Sequence, residues 1–284
     1  MLKQRVITAL VLLAILLPAM LNSDTLAFNA IVLLMLSLAG WEWGRLNGLR
    51  MPGAVCTGLL VLVAGLGLGY SGFVAQSHTV LWLAAGGVWV LGSAALIKSG
   101  VPGWGKIPVA VRWVAGVLAL LVAGLAIVQA RAIGINFLLS VLALVWAADI
   151  FAYFAGRAFG LRFTKVKLAP SISPGKSWEG AWGGFAGVFL MACLWVWLDA
   201  RLHAQVGSLY TRLFDQGWWM LLMAVLFLTA MSVIGDLVES LIKRSAGVKD
   251  SSQLLPGHGG VLDRIDALLP TLPLAMMLTS LVHS

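Results

Sequence analysis

PVAVRWVAGVLALLVAGLAIVQARAIGINFLLSVLALVWAADIFAYFAG, residues 108–156, contains two apolar runs, about 108–130 and 134–156, separated by Arg131, Ala132 and Ile133. Crossing a bilayer as a helix takes ~20 predominantly apolar residues at a rise of about 1.5 Å each. Neither run shows the dyad alternation of an outer-membrane strand, so the stretch predicts two transmembrane helices. Seven further runs, about 6–22, 26–44, 54–73, 79–97, 178–199, 217–242 and 261–282, qualify on the same ground. The fold class is therefore all-α: a polytopic integral membrane helical bundle of about nine transmembrane helices. Composition agrees, with 61% of the 284 residues hydrophobic and 11% charged, where a soluble domain is about a quarter charged. An ordinary water-soluble enzyme, a disordered chain and a nucleic-acid binder are excluded. The first run follows Lys3 and Arg5 as in a signal peptide, but its length and the lack of a small-x-small cleavage site predict a retained helix.

The connections between runs set the orientation. Lys3, Arg5, Arg45, Arg50, Lys98, Lys106, Arg157, Arg162, Lys165, Lys167, Lys176, Lys243, Arg244 and Lys249 fall on one side. The other side holds Arg131, Arg201 and Arg212, and Arg112 and Arg264 lie within spans. Because Lys and Arg accumulate in cytoplasmic loops, the N-terminus is expected in the cytoplasm. The net charge of +8 is then mostly loop charge. The 32 glycines suit membrane helices whose backbones approach closely. Cys56 and Cys193 both sit inside apolar runs, with no disulfide framework or thiolate metal site implied. Residues 1–130 read as about five transmembrane helices without a motif. Residues 131–284 carry the two longest polar connections, 157–177 and 243–260, and with them the chemistry.

Acidic residues within membrane spans are costly and usually functional. Glu42, Asp149, Glu179, Asp236, Glu239, Asp250, Asp263 and Asp266 lie toward the basic side. Asp236 and Glu239 are three apart, as are Asp263 and Asp266, a spacing that puts each pair on one helical face. Carboxylates converging from different helices beside Lys and Arg suit a divalent cation holding a polyphosphate, since Mg²⁺ takes one or two carboxylates plus phosphate oxygens and water. The competing reading is simple ion pairing, Asp263 with Arg264 and Asp250 with Lys249. Glu42, between Trp41 and Trp43 and beside Arg45, reads as an interfacial anchor.

The most informative segment is ESLIKRSAGVKDSSQLLPGHGGVLDRID, residues 239–266. Its glycines would let backbone amides approach a ligand, and a helix starting just after them would offer its amino end to phosphate. Lys243, Arg244 and Lys249 would neutralise further phosphate charge. PGHGG also reads as a tight interhelical turn. In SPGKSWEG, residues 173–180, a breaker precedes a helix start. Ser177 is the expected N-cap, with Lys176 free for phosphate.

The segment matches, at every fixed position, the pattern S-x-x-K-R, four residues, K-D, then P-G-H-G-G-x-x-D-R-x-D, carried by Ser240, Lys243, Arg244, Lys249, Asp250, Pro256 to Gly260, Asp263, Arg264 and Asp266. It resembles the motif of the phosphatidate cytidylyltransferases (CDP-diacylglycerol synthases). The block from Asp149 through Tyr153, Gly156, Arg157 and Ser173 to Glu179 is similar to a second block of that family. The resemblance covers roughly residues 149–270. It implies a multi-pass enzyme of the cell inner membrane with its site facing the cytoplasm, a nucleotidyltransferase making CDP-diacylglycerol and pyrophosphate from CTP and phosphatidate. It also implies Mg²⁺, a second, monovalent cation such as K⁺, a homodimer, and no nucleic-acid partner. Carried onto this chain, the metal carboxylates are Asp236 and Asp263, with Asp266 and Asp250 in support. Lys243, Lys249 and His258 join the catalytic set, and Ser240, Arg244, Gly259, Gly260, Arg264, Lys176 and Ser177 the substrate-binding set. For His258 a structural turn role weighs equally.

Two phosphoanions must be brought together without a protein nucleophile, so catalysis would rest on positioning and charge neutralisation. A funnel open to the cytoplasm with a lateral gap toward lipid is expected. A cytidylyltransferase or kinase for another lipid phosphate, such as an isoprenoid phosphate, is the nearest alternative. A cation-coupled transporter would place its acids near the midplane with access from both faces.

Overall fold

The structure, a computed structural model, describes residues 2–282; the side chains of Lys3 and Arg5, counted above with the basic N-terminus, lie outside the described ones. The helices run α1 Leu2–Leu21, α2 Leu26–Leu46, α3 Met51–Tyr70, α4 Thr79–Lys106, α5 Val109–Ile133, α6 Ile135–Phe159, α7 Trp178–Arg201, α8 Leu209–Phe214, α9 Trp218–Ser245, α10 Leu262–Ile265 and α11 Leu268–Val282. Among the described residues the only sheet is an antiparallel hairpin of β1 Lys167–Ala169 and β2 Ser173–Ser177. An all-α membrane bundle is what the apolar runs predicted.

Among the described residues, eight helices are long and apolar enough to cross a membrane, with α10 and α11 counted as one span from Leu262 to Val282. The ninth expected span, α1, is helical over 20 residues, and the apolar stretch among its described residues runs from Leu10 to Leu21. Two predicted connections also prove helical. The stretch after residue 97 does not leave α4 but bends at Gly100, whose φ is 65°, and continues past Pro102 to Lys106. The connection before α9 holds α8, whose Leu209, Tyr210 and Leu213 are buried.

α9 is the central helix. It packs against α4, α6, α7, α8 and α11, while α6 with α7 and α2 with α3 form two tight antiparallel pairs. Small residues make such pairs possible in lipid, where apolar surfaces gain little by meeting one another. A Cβ at Gly184 of α7 would stand 2.9 Å from the Ala148 carbonyl oxygen of α6. α5 packs on α2 and α11, whereas α4 packs on α9 and α11. A cavity of 790 Å³ separates these two consecutive helices, lined by Ala84, Val88, Gly92, Val114 and Ala119.

Polar groups at the two ends of the bundle do different work. At the end opposite the basic connections, the Asp199 carboxylate accepts from Asn136 Nδ2 at 2.9 Å, Ser208 N at 2.9 Å and Thr211 Oγ1 at 2.6 Å. Arg131 donates to the Met20 and Asn22 carbonyls at 2.8 and 2.5 Å, tying α5 to the end of α1. Such satisfied networks hold the fold. Eight of the other ten acids lie toward the basic end, and Asp24 and Asp215 share the opposite end with Asp199.

Candidate active site

α9 presents Asp236, Glu239 and Lys243 on one face, at spacings of three and four. Its last turn closes with Gly247 N donating to the Arg244 carbonyl and Val248 N to that of Lys243. This leaves Lys243 pointing inward, buried, and Arg244 exposed. Oxygens of Asp236, Glu239 and Asp266 lie within 4.8 Å of one another. Opposite ligands of an octahedral Mg²⁺ stand about 4.2 Å apart at about 2.1 Å per bond. A small side-chain adjustment would therefore bring the three onto one ion, and an all-carboxylate donor set suits a hard cation. The Glu239 carboxylate is paired with the Lys243 ammonium.

Two lysines flank the carboxylates. Lys176, from β2, reaches Asp236 Oδ2 at 2.6 Å, and Ser240 donates to the other Asp236 oxygen at 3.1 Å. Lys243 bridges Glu239 and Asp263 Oδ1, the latter at 2.5 Å. Asp149 of α6 interacts electrostatically with Lys176, Asp236 and Arg264, so four separate elements meet here. Beside them lies a cavity of 370 Å³ that presents Asp149, Tyr153, Arg157, Lys176 and Ser177 among apolar residues such as Ala152, Leu168 and Val233. On the other side, Glu239 and Asp266 line the cavity between α4 and α5. The carboxylates thus separate a polar chamber from an apolar groove.

The hairpin carrying Lys176 is held from below. Glu179 Oε1 accepts from Phe163 N, Thr164 N and Thr164 Oγ1 at 3.1, 2.7 and 2.9 Å. Ser177 caps α7 by accepting from Gly180 N at 3.1 Å, as its position predicted.

A family profile described as the cytidylyltransferase family matches residues 3–282. The chain belongs to the cytidylyltransferase family. Its relatives include a phosphatidate cytidylyltransferase of Pseudomonas aeruginosa, 39% identical over 281 residues that cover 96% of this chain and 95% of that protein. Another, from Haemophilus influenzae, is 39% identical over 295 residues, 96% of each chain. A third, from Brucella suis, is 37% identical over 233 residues, 82% of this chain and 69% of that one.

Within this cytidylyltransferase-family fold, the expected site residues divide. Asp236, Asp266, Lys243, Ser240 and Lys176 converge with Glu239. Asp263 does not join the carboxylate cluster. Its Oδ2 accepts from Ser251 N, Ser251 Oγ and Gly260 N at 2.9, 2.8 and 2.7 Å, while Oδ1 holds Lys243. The cause is local: α10 is a single turn, and Asp263 reaches back to cap it, much as the third residue of a capping box does. Asp266, at the end of that turn, faces α9 instead. Among the described residues neither an Asp263–Arg264 nor an Asp250–Lys249 ion pair forms; Asp263 is paired with Lys243. Lys249, Asp250, Arg244 and Arg264 are exposed, so Asp250 stands outside the cluster.

PGHGG is a turn before it is anything else. His258 N donates to the Leu255 carbonyl at 2.8 Å, and Pro256 followed by Gly257 at φ 76° is the type II turn arrangement. Gly259 returns the chain by accepting from Leu255 N at 2.9 Å. The amides after it are already used: Val261 N and Leu262 N donate to Glu42 at 2.9 and 2.7 Å. The expected phosphate site at this helix start is filled by a carboxylate of the protein itself. Side chains, not these amides, remain to meet substrate phosphate.

Glu42, expected at the interface, is fully buried, with an exposure of 0%. The flanking tryptophans that suggested an anchor point elsewhere: Trp43 Nε1 donates to the Trp113 carbonyl at 3.0 Å, and the ring meets Trp104 edge-on. Glu239, the other omitted acid, was signalled by its spacing from Asp236. Asp149 was signalled by its depth within a span.

Proposed function

We propose that this chain transfers the cytidylyl group of CTP to phosphatidate, releasing pyrophosphate and forming CDP-diacylglycerol. The observation that carries the reading is the placement of Asp236, Glu239 and Asp266 between a polar chamber and an apolar groove, which suits one water-soluble and one lipid substrate. A phosphate oxygen of phosphatidate attacks the α-phosphorus of CTP, the bond to the β-phosphate oxygen breaks, and pyrophosphate leaves with that electron pair. No side chain has to become covalently attached, so the work is orientation and charge neutralisation.

The polar chamber would take the triphosphate, with Lys176 and Arg157 from its wall and Arg264, Arg244 and Lys249 from the exposed rim. Lys243 would hold Glu239 and Asp263 in place rather than bind substrate first. Asp236, Glu239 and Asp266 would hold Mg²⁺, which when bound supplies a Lewis acid for the phosphate oxygens. The groove between α4 and α5 would take an acyl chain laterally from the bilayer. A transporter is disfavoured by a carboxylate cluster at one end of the bundle, while at the other Asp199 is committed to the fold.

The same reading sets the protein in the inner membrane with its basic end in the cytoplasm, supported by the bias of Lys and Arg. It also includes a second copy as partner; Gly67, Gly69 and Gly87 have nothing packed on them, a surface suited to close helix approach. The test is pyrophosphate release by purified protein given Mg²⁺, CTP and phosphatidate. Asp236→Asn should lower kcat by about 100-fold or more with an unchanged melting profile. Turnover of another lipid phosphate but not of phosphatidate would overturn the substrate assignment.

A further inference from the structure

We infer that Glu42, from the motif-free half of the chain, is a positioning residue of the active site, clamping residues 251–262 so that Asp263 and Lys243 hold Glu239 in the carboxylate cluster. Three donors converge on it from that one segment, and the Ser251 hydroxyl, with its one proton, is shared between it and Asp263. Ser252 Oγ and Val261 N lie 2.5 and 2.9 Å from Oε1, and Ser251 Oγ and Leu262 N lie 3.2 and 2.7 Å from Oε2. A carboxylate without access to water is tolerated only when its oxygens are so satisfied. All of these groups belong to the segment between Asp250 and Asp263.

The contact continues toward the chemistry. Ser251 Oγ lies between Glu42 and Asp263 Oδ2. Asp263 holds Lys243, and Lys243 holds Glu239. Gly260 fits the same design. A Cβ there would run into both Ser251 Oγ and Glu42 Oε1, so the segment can close over Glu42 only with glycine at this position. α2 itself is fixed, because Trp43 is bonded to α5 one residue on. The clamp therefore refers the loop to the rigid part of the bundle rather than to another loop.

The inference rests on the reading of the α9 carboxylates as the reaction centre. Glu42→Gln keeps the shape but turns an amide N–H₂ toward donors. It should lower kcat by about 10- to 100-fold, leave KM for CTP and phosphatidate within about threefold, and speed amide hydrogen exchange in 251–263 alone. Glu42→Asp, which keeps the charge but retracts it by one methylene, should recover part of both effects. Wild-type kcat in Glu42→Gln, lost kcat with unchanged exchange in 251–263, or exchange raised equally across α2 and α5 would each overturn the positioning role. Should Glu42→Gln not accumulate, Ser252→Ala removes one donor, and unchanged kcat and exchange there would overturn it as well. Asp236→Asn is run in parallel. If that variant stays active the reading of the reaction centre has failed, whereas the exchange result judges the clamp independently.

Discussion

Lys243 and Lys176 make the same kind of ion pair in different surroundings, and the difference sets their energetic roles. The Lys243 and Asp263 side chains are 11% and 4% exposed, against 24% and 31% for Lys176 and Asp236. Removing one member of a buried pair leaves an uncompensated charge, at about 3–5 kcal/mol. A pair with partial water access contributes about 0–1 kcal/mol. Lys243→Met should therefore lower the melting temperature in detergent markedly. Lys176→Met should leave it nearly unchanged while strongly raising KM for CTP. Equal melting temperatures for the two variants would contradict this ranking. The sequence showed both lysines as free phosphate ligands, because nothing in the spacing of Lys243 reveals a carboxylate twenty residues on reaching back to it.

Among the elements, the segment from Ser251 to Asp266 depends most on its neighbours. Alone it is a type II turn and a one-turn helix, too short to persist in water. Glu42 and Asp263 supply the acceptors that its amides and hydroxyls need. Gly260→Ala should force the segment off Glu42, with an overpacking cost of about 1–3 kcal/mol and a loss of activity beyond that explained by unfolding. Gly175→Ala, in β2, has open space for its Cβ and should melt like the parent protein. Circular dichroism melts alongside pyrophosphate release would separate the two. Ser177 was legible as a cap because a cap is a local device. The different directions of Asp263 and Asp266 were not, since a turn of helix ending in a bend does not keep the three-residue face of a long helix.

At the scale of the molecule, the polar chamber and the apolar groove meet at the carboxylates, and the groove lies where α4 turns to α9 and α5 to α2, with α11 touching both. Small residues such as Ala84, Gly92 and Ala119 stand in its walls among tryptophans and leucines, so its reach can be shortened. Ala119→Trp should raise KM for long-chain phosphatidate roughly tenfold, affect a short-chain analogue less, and leave KM for CTP alone. Equal effects on both lipids would show that the acyl chain lies elsewhere. Two consecutive apolar runs do not reveal such a gap, because each reads as an ordinary span whatever its neighbour.

The sequence by itself determined the membrane bundle, most of the span limits, the basic end and the family, because hydropathy, loop charge and a spaced motif are properties of the chain as written. Tertiary structure alone decided which carboxylates meet. Glu42 and Leu262 are 220 positions apart, and only packing of α2 against α10 brings them into contact. Burial then turned an acid between two tryptophans into a clamp, since a carboxylate removed from water must find donors and the 251–262 segment was the one that could supply them.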